Sequence, residues 1–559
     1  MRRAKQDEMD LWILLGAILA WSCTAPLAIY LYDPKRLRRY PNQNIFSGLT
    51  SLAYVYERRN SFRTEILHSQ HERHPILRTG PNVLSFGSVA AIKDIYGHGS
   101  PCLKDDVYKS ITGSHPHILN VVDKDDHARK RRMLSNAFAT RNLEQWEFKI
   151  TDKVQKMIVQ FDKRCTDPYL DKCAIASDDL IVNFRFWSNL FTLDAIADIA
   201  LSERLGLLES GTDLVEGIPS GSTVQNLNFI ESLHCGSRTV SRFVGATDWF
   251  NSLKVIATLC SPYFRSHLND FGNIVSMLTD RRLAKQESEE TSDFLSCLIE
   301  DKAGRIRGLD RGEIEAEASV LRKRRFLHNC KAELITSSTT VDAGSDTTAI
   351  ALTNVLYYLI KHPNTLKKLR DELSGALAEG ETIAPYAKVK SLPYLKACLN
   401  ESLRLSPPVP RGLERKTPPQ GMEILGERIA GGVTVSVPAY IAHRDPRLFP
   451  EPESYIPERW LDESEPTKDM RSAFIPFTTG ARACIGRNIT MMEQQILIAT
   501  LVQRYDFMLP SPDWKLTWEE AFNLWPSQMP LKLWRREGGS RETDSRRGVQ
   551  VAEASGFSQ

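Results

Sequence analysis

The chain has 559 residues, of which 42% are hydrophobic, 9% aromatic and 25% charged. This composition is that of a globular protein and excludes collagen-like, largely disordered and polytopic membrane chains. The 72 basic and 69 acidic residues leave a net charge of +3, so the sequence offers no electrostatic case for nucleic-acid binding. The ten cysteines include no CxxC pair and no cluster with histidine, so we expect neither a disulfide framework nor a zinc site.

Residues 11–32 contain no charged side chain and are rich in Leu, Ile, Ala and Trp. At about 1.5 Å per residue, a helix of this length crosses the roughly 30 Å hydrocarbon core of a bilayer. We therefore predict a transmembrane anchor at 11–32, preceded by a flank at 1–10. A cleaved signal peptide and a buried helix are the alternatives, but the run is longer than a usual signal core. Basic residues lie on both sides, and their small excess after the span favours a cytosolic downstream domain.

The patterns downstream predict a mainly α protein with small β-sheets. Residues 77–86 predict two short strands around a Gly-Pro turn, and residues 433–437 predict another strand. The last residues, 536–559, are polar and charged, so we expect a disordered tail. Apolar residues at three- and four-residue steps predict helices at 143–161, 189–208, 272–285, 349–361, 363–377 and 487–504.

The most informative stretch surrounds Cys484. The residues Phe477, Gly480, Arg482, Cys484 and Gly486 form the pattern FxxGxRxCxG directly before a predicted helix. Backbone N–H groups and the dipole at a helix N-terminus favour a thiolate. One cysteine cannot hold zinc or an iron–sulfur cluster, but as the axial ligand of a haem iron its thiolate favours O–O bond cleavage. The alternative, a buried structural cysteine, does not explain five fixed positions.

With this motif the chain resembles the cytochrome P450 family of haem-thiolate monooxygenases, over about residues 40–535. The resemblance implies the cytochrome P450 fold, mainly α with small β-sheets, with an N-terminal transmembrane anchor helix. It also implies haem b as the cofactor and Cys484 as the axial ligand of its iron. Four further motifs carry the same resemblance.

Residues 343–348 read AGSDTT and resemble the oxygen-activation motif of the family. The resemblance implies that Gly344 leaves room beside the iron, and that Asp346 and Thr347 relay protons to bound dioxygen. Taken alone, this stretch is more often a helix cap.

Glu401 and Arg404 stand three residues apart and resemble the ExxR pair of the family, while residues 457–460 read PERW and supply Arg459. The implied arrangement is a buried network of Glu401, Arg404 and Arg459 that supports the cysteine loop. Without the other motifs, the first two residues would be an ordinary surface salt bridge.

His127 and Arg131 resemble the pair, four residues apart, that contacts the haem propionates. Arg482 and Arg415 complete the implied propionate set, since arginine binds carboxylates bidentately. The neighbouring Arg129, Lys130 and Arg132 fit a solvated basic face that would receive an electron donor.

The sequence contains no GxGxxG element opening a βαβ unit, so electrons must come from another protein. The resemblance implies NADPH-cytochrome P450 reductase in the endoplasmic reticulum membrane, with cytochrome b5 as a second candidate donor. The wording is most like fungal members that tailor natural products, which implies insertion of one oxygen atom into an apolar small molecule. A haem-thiolate isomerase, dehydratase or peroxygenase is one alternative, and a haem-binding sensor, carrier or inactive relative is another.

Residues 322–340 depart from the family pattern. This 19-residue stretch begins RKRR, ends TSSTT and separates an apolar helix face from the oxygen motif, which it would put out of phase. Either a family-atypical insertion or a retained intron accounts for it. Candidate substrate contacts are residues 100–121, Ala343, residues 409–413 and residues 522–529.

Overall fold

The computed structural model describes residues 24–536 apart from 59–61, 111–115, 136, 167–178, 218–223, 286–292, 300–338, 379 and 463. Of the predicted anchor, residues 24–32 are described and helical, and residues 11–23 lie outside the described part. Among the described residues, no helix combines the length and apolar character that crossing a membrane requires.

Residues 322–338 of the suspected insertion lie outside the described part of the chain, and its last two residues, Thr339 and Thr340, are helical. Residues 537–559 of the predicted tail also lie outside it. Arg536, however, continues the folded chain, because its backbone N–H donates to the Arg504 carbonyl at 3.0 Å.

Helices make up most of the described chain, as predicted. In the N-terminal half they are α1 (Ala53–Glu57), α2 (Arg63–His71), α3 (Ala91–Tyr96), α4 (Val107–Ser110), α5 (Lys124–Ser135), α6 (Thr140–Gln145), α7 (Glu147–Asp162), α8 (Phe184–Leu201), α9 (Leu207–Ser210), α10 (Phe229–Phe243), α11 (Phe250–Cys260) and α12 (Pro262–Lys285). In the C-terminal half they are α13 (Phe294–Ile299), α14 (Thr339–Lys361), α15 (Pro363–Ala376), α16 (Tyr386–Val389), α17 (Pro393–Leu405), α18 (Ala439–Ala442), α19 (Glu465–Ala473) and α20 (Arg487–Arg504).

Two helix predictions had wrong ends. The predicted helix at 143–161 is interrupted at Trp146, between α6 and α7. The helix predicted at 189–208 is α8, which ends at residue 201 because Ser202 adopts a left-handed conformation with φ of 48°. The N–H groups of Ser202 and Glu203 then bind the carbonyls of Asp198 and Ala197, so the last turn is satisfied without continuing the helix.

Small sheets flank the helices. The strands are β1 (Ile76–Gly80), β2 (Val83–Phe86), β3 (Leu103–Lys104), β4 (Val182–Asn183), β5 (Leu214–Gly217), β6 (Gln225–Asn228), β7 (Arg415–Lys416), β8 (Met422–Ile424), β9 (Glu427–Ile429), β10 (Thr434–Ser436), β11 (Tyr505–Met508), β12 (Trp518–Glu520), β13 (Leu524–Pro526) and β14 (Pro530–Arg535). The largest described sheet has the order β1-β2-β10-β7-β3, and its β1–β2 hairpin confirms the pair predicted at 77–86.

Helix α14 lies at the centre of the molecule, against α8, α17 and α20. Its apolar residues, such as Ile350 and Leu356, are fully buried in the core. Gly344 lets α8 approach closely, because a Cβ there would lie 2.9 Å from Cδ1 of Ile196. The close packing of α14 against α8 is therefore one reason for a glycine at this position.

A carboxylic acid is buried where α14 meets α20. Glu493 is almost inaccessible, and burial raises its pKa to about 8, although a hydrogen bond with Thr348 lowers it. The Thr348 hydroxyl also lies 2.6 Å from the Thr490 hydroxyl. The folded chain therefore keeps Glu493 protonated at neutral pH, whereas the unfolded chain ionises it.

Glu493→Gln should remove this pH dependence. Since the pKa rises from 4.5 to about 8 on folding, the free energy of unfolding falls as pH rises through that window. We expect the variant to melt a few degrees above wild type at about pH 9 and at nearly the same temperature at about pH 4.5. Thermal unfolding followed by circular dichroism measures this. The exposed Glu423→Gln control should show no such difference, and equal melting temperatures for Glu493→Gln and wild type at both pH values would contradict the expectation.

Candidate active site

The cysteine loop is a tight turn ending at the start of α20. The Cys484 N–H donates to the Phe477 carbonyl at 2.9 Å, which closes the turn. Gly480 has a φ of 71°, and a Cβ there would collide with the Tyr96 carbonyl at the end of α3, so only glycine fits. Gly486 is the residue before the helix, and a Cβ built there would lie 3.9 Å from the cysteine sulfur. The loop therefore presents Cys484 at a helix N-terminus, as the sequence predicts.

The backbone donors at the helix start act on the Cys484 thiol in the expected direction, but burial opposes them. Crowding by protein raises the pKa of Cys484, although the backbone N–H groups of Gly486 and Arg487 and the charge of Arg131 lower it. Ionisation would come from a coordinated metal, which deprotonates a cysteine ligand outright.

The Glu401 carboxylate is the most heavily bonded group beside this loop. Arg404 Nε and Nη2 each donate to it at 2.9 Å, and Arg459 Nε donates at 3.1 Å. Trp460 Nε1 donates to its second oxygen at 2.9 Å. Both Glu401 and Arg404 are fully buried. The structure thus brings Glu401, Arg404 and Arg459 together, with Trp460 as a partner that the sequence reasoning missed.

His443 connects this network to the cysteine loop. Arg404 Nη1 donates to the His443 carbonyl at 3.0 Å, and His443 Nδ1 lies 3.2 Å from the Arg404 carbonyl. The Ile475 N–H donates to His443 Nε2 at 2.9 Å, two residues before Phe477. Burial, with the charges of Arg404 and Arg444, lowers the pKa of His443 to about 3, so the ring is neutral and can accept this bond. The sequence feature that marks His443 is the stretch HRDP at residues 443–446.

Four basic side chains converge on the other side of the loop: Lys104, His127, Arg415 and Arg482. Lys104 and Arg415 face each other across β3 and β7, and both are buried. Burial and the charges of Arg482, Lys104 and Arg415 lower the pKa of His127 to about 3. Burial and the neighbouring charge of Arg415 likewise lower the pKa of Arg482 to about 10.

Within the described residues, none of these four groups forms an ion pair with a carboxylate. Arg482 instead donates to the carbonyls of Val121 and Val122 at 2.7 and 2.9 Å, and the Lys104 ammonium donates to the Leu119 carbonyl. Burial and mutual repulsion disfavour the charged forms of these basic groups, as the lowered pKa values of Lys104 and His127 show, and an added anion would favour those charged forms. The donor set therefore fits the two propionates of haem. Lys104 was missed, because a lone lysine in a short strand gives no sequence signal.

Helix α5 carries the other four predicted basic groups, Arg129, Lys130, Arg131 and Arg132. Arg131 Nη1 donates to the Ala483 carbonyl at 2.6 Å, so this side chain holds the backbone of the cysteine loop. Lys130 was predicted on the solvated face, but it is only 1% exposed, which corrects that prediction. Arg129 and Arg132 do lie on the exposed side, where Arg129 pairs with Asp126 at 2.7 Å.

The two residues of the oxygen motif have separate surroundings. The Thr347 hydroxyl donates to the Ala343 carbonyl at 2.7 Å, on an accessible part of α14. The Asp346 carboxylate is buried and accepts hydrogen bonds from Arg185, His234, Asn523 and Trp525. The structure therefore does not bring the two side chains together as adjacent members of one hydrogen-bonded chain.

The Cytochrome P450 family profile matches residues 82–531, which is most of the chain. The chain belongs to the cytochrome P450 family. Its fold is therefore the cytochrome P450 fold, mainly helical with small sheets, and it is a haem-thiolate monooxygenase. The family also accounts for the cysteine loop and for a haem iron as the cofactor.

Curated relatives come from fungi. The chain is 28% identical over 544 residues to benzoate 4-monooxygenase from Aspergillus niger, covering 94% of this chain and 99% of the relative. It is 28% identical over 540 residues to tryprostatin B 6-hydroxylase from Aspergillus fumigatus, covering 94% and 86%. A third relative, the cytochrome P450 monooxygenase astA from Talaromyces wortmannii, is 28% identical over 538 residues, covering 94% and 98%. The similarity spans nearly whole chains, so the protein is a fungal member of the family.

Lys104→Met should weaken haem retention and stabilise the apoprotein. The substitution removes one of four basic groups that fit the propionates and that have no carboxylate partner among the described residues, and burial already disfavours the charged form of Lys104. We expect haem transfer to excess apomyoglobin to accelerate about tenfold, the size of one charge-assisted hydrogen bond. The melting temperature of the apoprotein should rise.

The matched control is Lys109→Met, on the adjacent helix α4, whose side chain is 64% exposed and pairs with Asp106. Its haem transfer rate should equal that of wild type. Slower or unchanged haem loss from Lys104→Met would show that Lys104 does not face the propionates.

Proposed function

We propose that this chain is a membrane-bound monooxygenase that inserts one oxygen atom into an apolar small molecule of fungal secondary metabolism. The observation that carries the proposal is the cysteine loop beside a cluster of basic side chains that has no carboxylate partner in the described part of the chain. This combination offers one sulfur ligand and several anion-binding groups, which is the requirement of a haem with two propionates.

In this proposal Cys484 is the axial ligand of the haem iron, held by the loop of Phe477, Gly480 and Gly486. Arg482, His127 and Arg415 contact the propionates, with Lys104 beside them. Arg131 would contact a propionate and also support the cysteine loop, since its Nη1 already donates to the Ala483 carbonyl at 2.6 Å. When bound, the haem supplies oxygen activation.

The protein groups of α14 would then manage protons. The Thr347 hydroxyl is accessible and bonded only to the preceding turn, so it can exchange the Ala343 carbonyl for another acceptor. Asp346 is the other member of the proposed catalytic pair. Its buried carboxylate directly precedes Thr347 in α14 and would act on the Thr347 hydroxyl through its negative charge. Glu401, Arg404 and Arg459 have the structural role of holding the loop.

The substrate would lie over Ala343, which is exposed on α14. The turn at 409–413 and the segment 522–529 are the proposed neighbours, and Arg411 joins them, since its guanidinium lies 5.8 Å from the Phe522 ring. The relatives are named for benzoate and tryprostatin B, which supports a small organic substrate. Their names are those of monooxygenases and a hydroxylase, which favours oxygen insertion over the isomerase, peroxygenase and sensor alternatives.

Electrons would come from NADPH through cytochrome P450 reductase, with cytochrome b5 as a second candidate donor. The exposed Arg129 and Arg132 lie on α5, and Arg131 of the same helix binds the cysteine loop. An acidic partner docking there would approach Cys484 from the side of its own loop. This geometry supports a basic docking face close to the cofactor.

Attachment to the endoplasmic reticulum membrane rests on the predicted anchor at 11–32 and on exposed apolar residues near it. Tyr30 packs against Gly48, and the Ser51 hydroxyl donates to Asp248 at 3.0 Å, so the N-terminal segments and the start of α11 lie side by side. Large apolar side chains are exposed in and near these segments, namely Leu27, Ile29, Leu31, Ile45, Phe46, Tyr56, Trp249, Val255, Ile256, Leu259 and Tyr263. We propose the catalytic domain as residues 40–535, facing the cytosol.

Cys484→His should abolish the absorption band of thiolate ligation. We expect the ferrous carbon-monoxide complex of the wild-type enzyme to absorb at the red-shifted position of a haem-thiolate, because Cys484 is its proposed ligand. The exposed Cys260→Ser control should keep the band unchanged. A band that survives in Cys484→His would refute the ligand assignment.

Thr347→Ala should divert reduced oxygen to peroxide. Loss of the hydroxyl removes a proton donor without touching haem ligation, so we expect the peroxide released per NADPH consumed to rise at least about threefold. The control is Thr353→Ala, because the Thr353 hydroxyl makes the same kind of bond, to the Ala349 carbonyl at 2.7 Å, away from the oxygen motif. An unchanged peroxide ratio in Thr347→Ala would remove Thr347 from proton delivery.

A further inference from the structure

Four side chains from three other parts of the fold hold the Asp346 carboxylate. Its Oδ1 accepts from Arg185 Nη2 of α8 at 2.8 Å and from His234 Nε2 of α10 at 3.0 Å. Its Oδ2 accepts from Asn523 Nδ2 at 2.7 Å and from Trp525 Nε1 at 2.6 Å. With two donors on each oxygen and only 2% exposure, the carboxylate has a fixed orientation.

These partners also fix the charge of the group. Burial alone would raise the pKa of Asp346, but His234, Arg185 and Asn523 hold it well below its usual range. A carboxylate in this state is ionised at neutral pH and has no proton to donate. An effective general acid, in contrast, needs a pKa near the operating pH. Asp346 therefore acts as a fixed negative charge while all four donors are in place.

Two of the four donors come from the C-terminal hairpin, formed by β12 and β13. Trp525 lies in β13, and Asn523 lies in the turn between the strands. Trp525 also packs with Ile350 of α14 and Ala521, and its ring lies 4.6 Å from the His234 ring. The same turn contains Phe522, which belongs to the proposed substrate-contact segment. One hairpin thus touches both the proposed substrate pocket and the acid of the oxygen motif.

We propose that Trp525 and Asn523 are positioning residues that set Asp346, so that the C-terminal hairpin couples the substrate pocket to proton delivery beside Thr347. This inference rests on the proposed function. Trp525 would act through Asp346 and would contact neither the cofactor nor dioxygen. A hairpin displaced from its place would leave Oδ2 of Asp346 without its donors and would change how protons reach the site.

A matched control lies in the same hairpin. Trp518 of β12 donates from its indole Nε1 to Asn354 Oδ1 of α14 at 3.1 Å. This hydrogen bond joins the same two elements with the same donor group, two turns further along α14. Trp518→Phe and Trp525→Phe therefore remove equivalent donors, and only the second touches Asp346.

The experiment uses the full chain with bound haem and a fungal NADPH-cytochrome P450 reductase, without added substrate. Each NADPH supplies two electrons, which with two protons reduce dioxygen to hydrogen peroxide, and a second NADPH with two further protons completes the reduction to two water molecules. The fraction of NADPH recovered as peroxide therefore reports proton delivery without any knowledge of the substrate. The carbon-monoxide spectrum verifies the haem-thiolate unit in each variant.

We expect Trp525→Phe to raise the peroxide fraction at least about threefold, and Trp518→Phe to leave it at the wild-type value. Asn523→Leu, which removes the other hairpin donor, should act in the same direction and serves if Trp525→Phe does not fold. In an Asp346→Asn background, Trp525→Phe should have no further effect, because its action passes through that carboxylate.

Equal peroxide fractions in Trp525→Phe, Asn523→Leu and wild type would overturn the inference. So would an undiminished effect of Trp525→Phe in the Asp346→Asn background, which would show a general structural role. The proposed function fails differently: wild type itself would then lack the thiolate band or would not consume NADPH.

Discussion

The bidentate pair between Arg404 and Glu401 is the interaction on which the cysteine loop depends. Two charges that are completely buried cost free energy unless every donor and acceptor is satisfied. Here the carboxylate accepts from Arg404, Arg459, Trp460 and the Ile456 backbone, while Arg404 spends its remaining donors on carbonyls at residues 443, 452 and 454. One helix, α17, thereby fixes the segments that precede the loop.

The geometry of the site follows from elements that meet around this support. The neutral ring of His443 connects Arg404 to Ile475 through hydrogen bonds. Arg131 holds the loop from its other side by donating to the Ala483 carbonyl. Within the described residues the basic cluster of Lys104, His127, Arg415 and Arg482 has no carboxylate partner, and the proposed haem propionates would supply the missing negative charge. Gly344 allows α14, which carries the oxygen motif, to lie close to α8. The residues proposed to bind the cofactor and those proposed for catalysis are therefore held by the same packed elements.

The features that could be predicted from the sequence depend on residues that lie close together in the chain. The five positions around Cys484 and the three-residue step between Glu401 and Arg404 each fall within one turn or helix, so their contacts follow locally. The partners of Asp346 could not be predicted in this way, because Arg185 stands 161 residues and Trp525 stands 179 residues away in the chain. The burial of Lys130, the role of Lys104 and the raised pKa of Cys484 also depend on packing between distant segments. The helix bounds at Trp146 and Ser202 were predicted wrongly, because local backbone conformations there interrupt an otherwise continuous apolar pattern.

The most direct test of the central claim is iron K-edge X-ray absorption on the haem-loaded full chain. If Cys484 is the axial ligand, the first coordination shell of the iron contains one sulfur atom with the four porphyrin nitrogens, and that sulfur is absent in Cys484→Ser. A shell made only of nitrogen and oxygen atoms in the wild-type protein, or a sulfur that persists in the variant, would contradict the assignment.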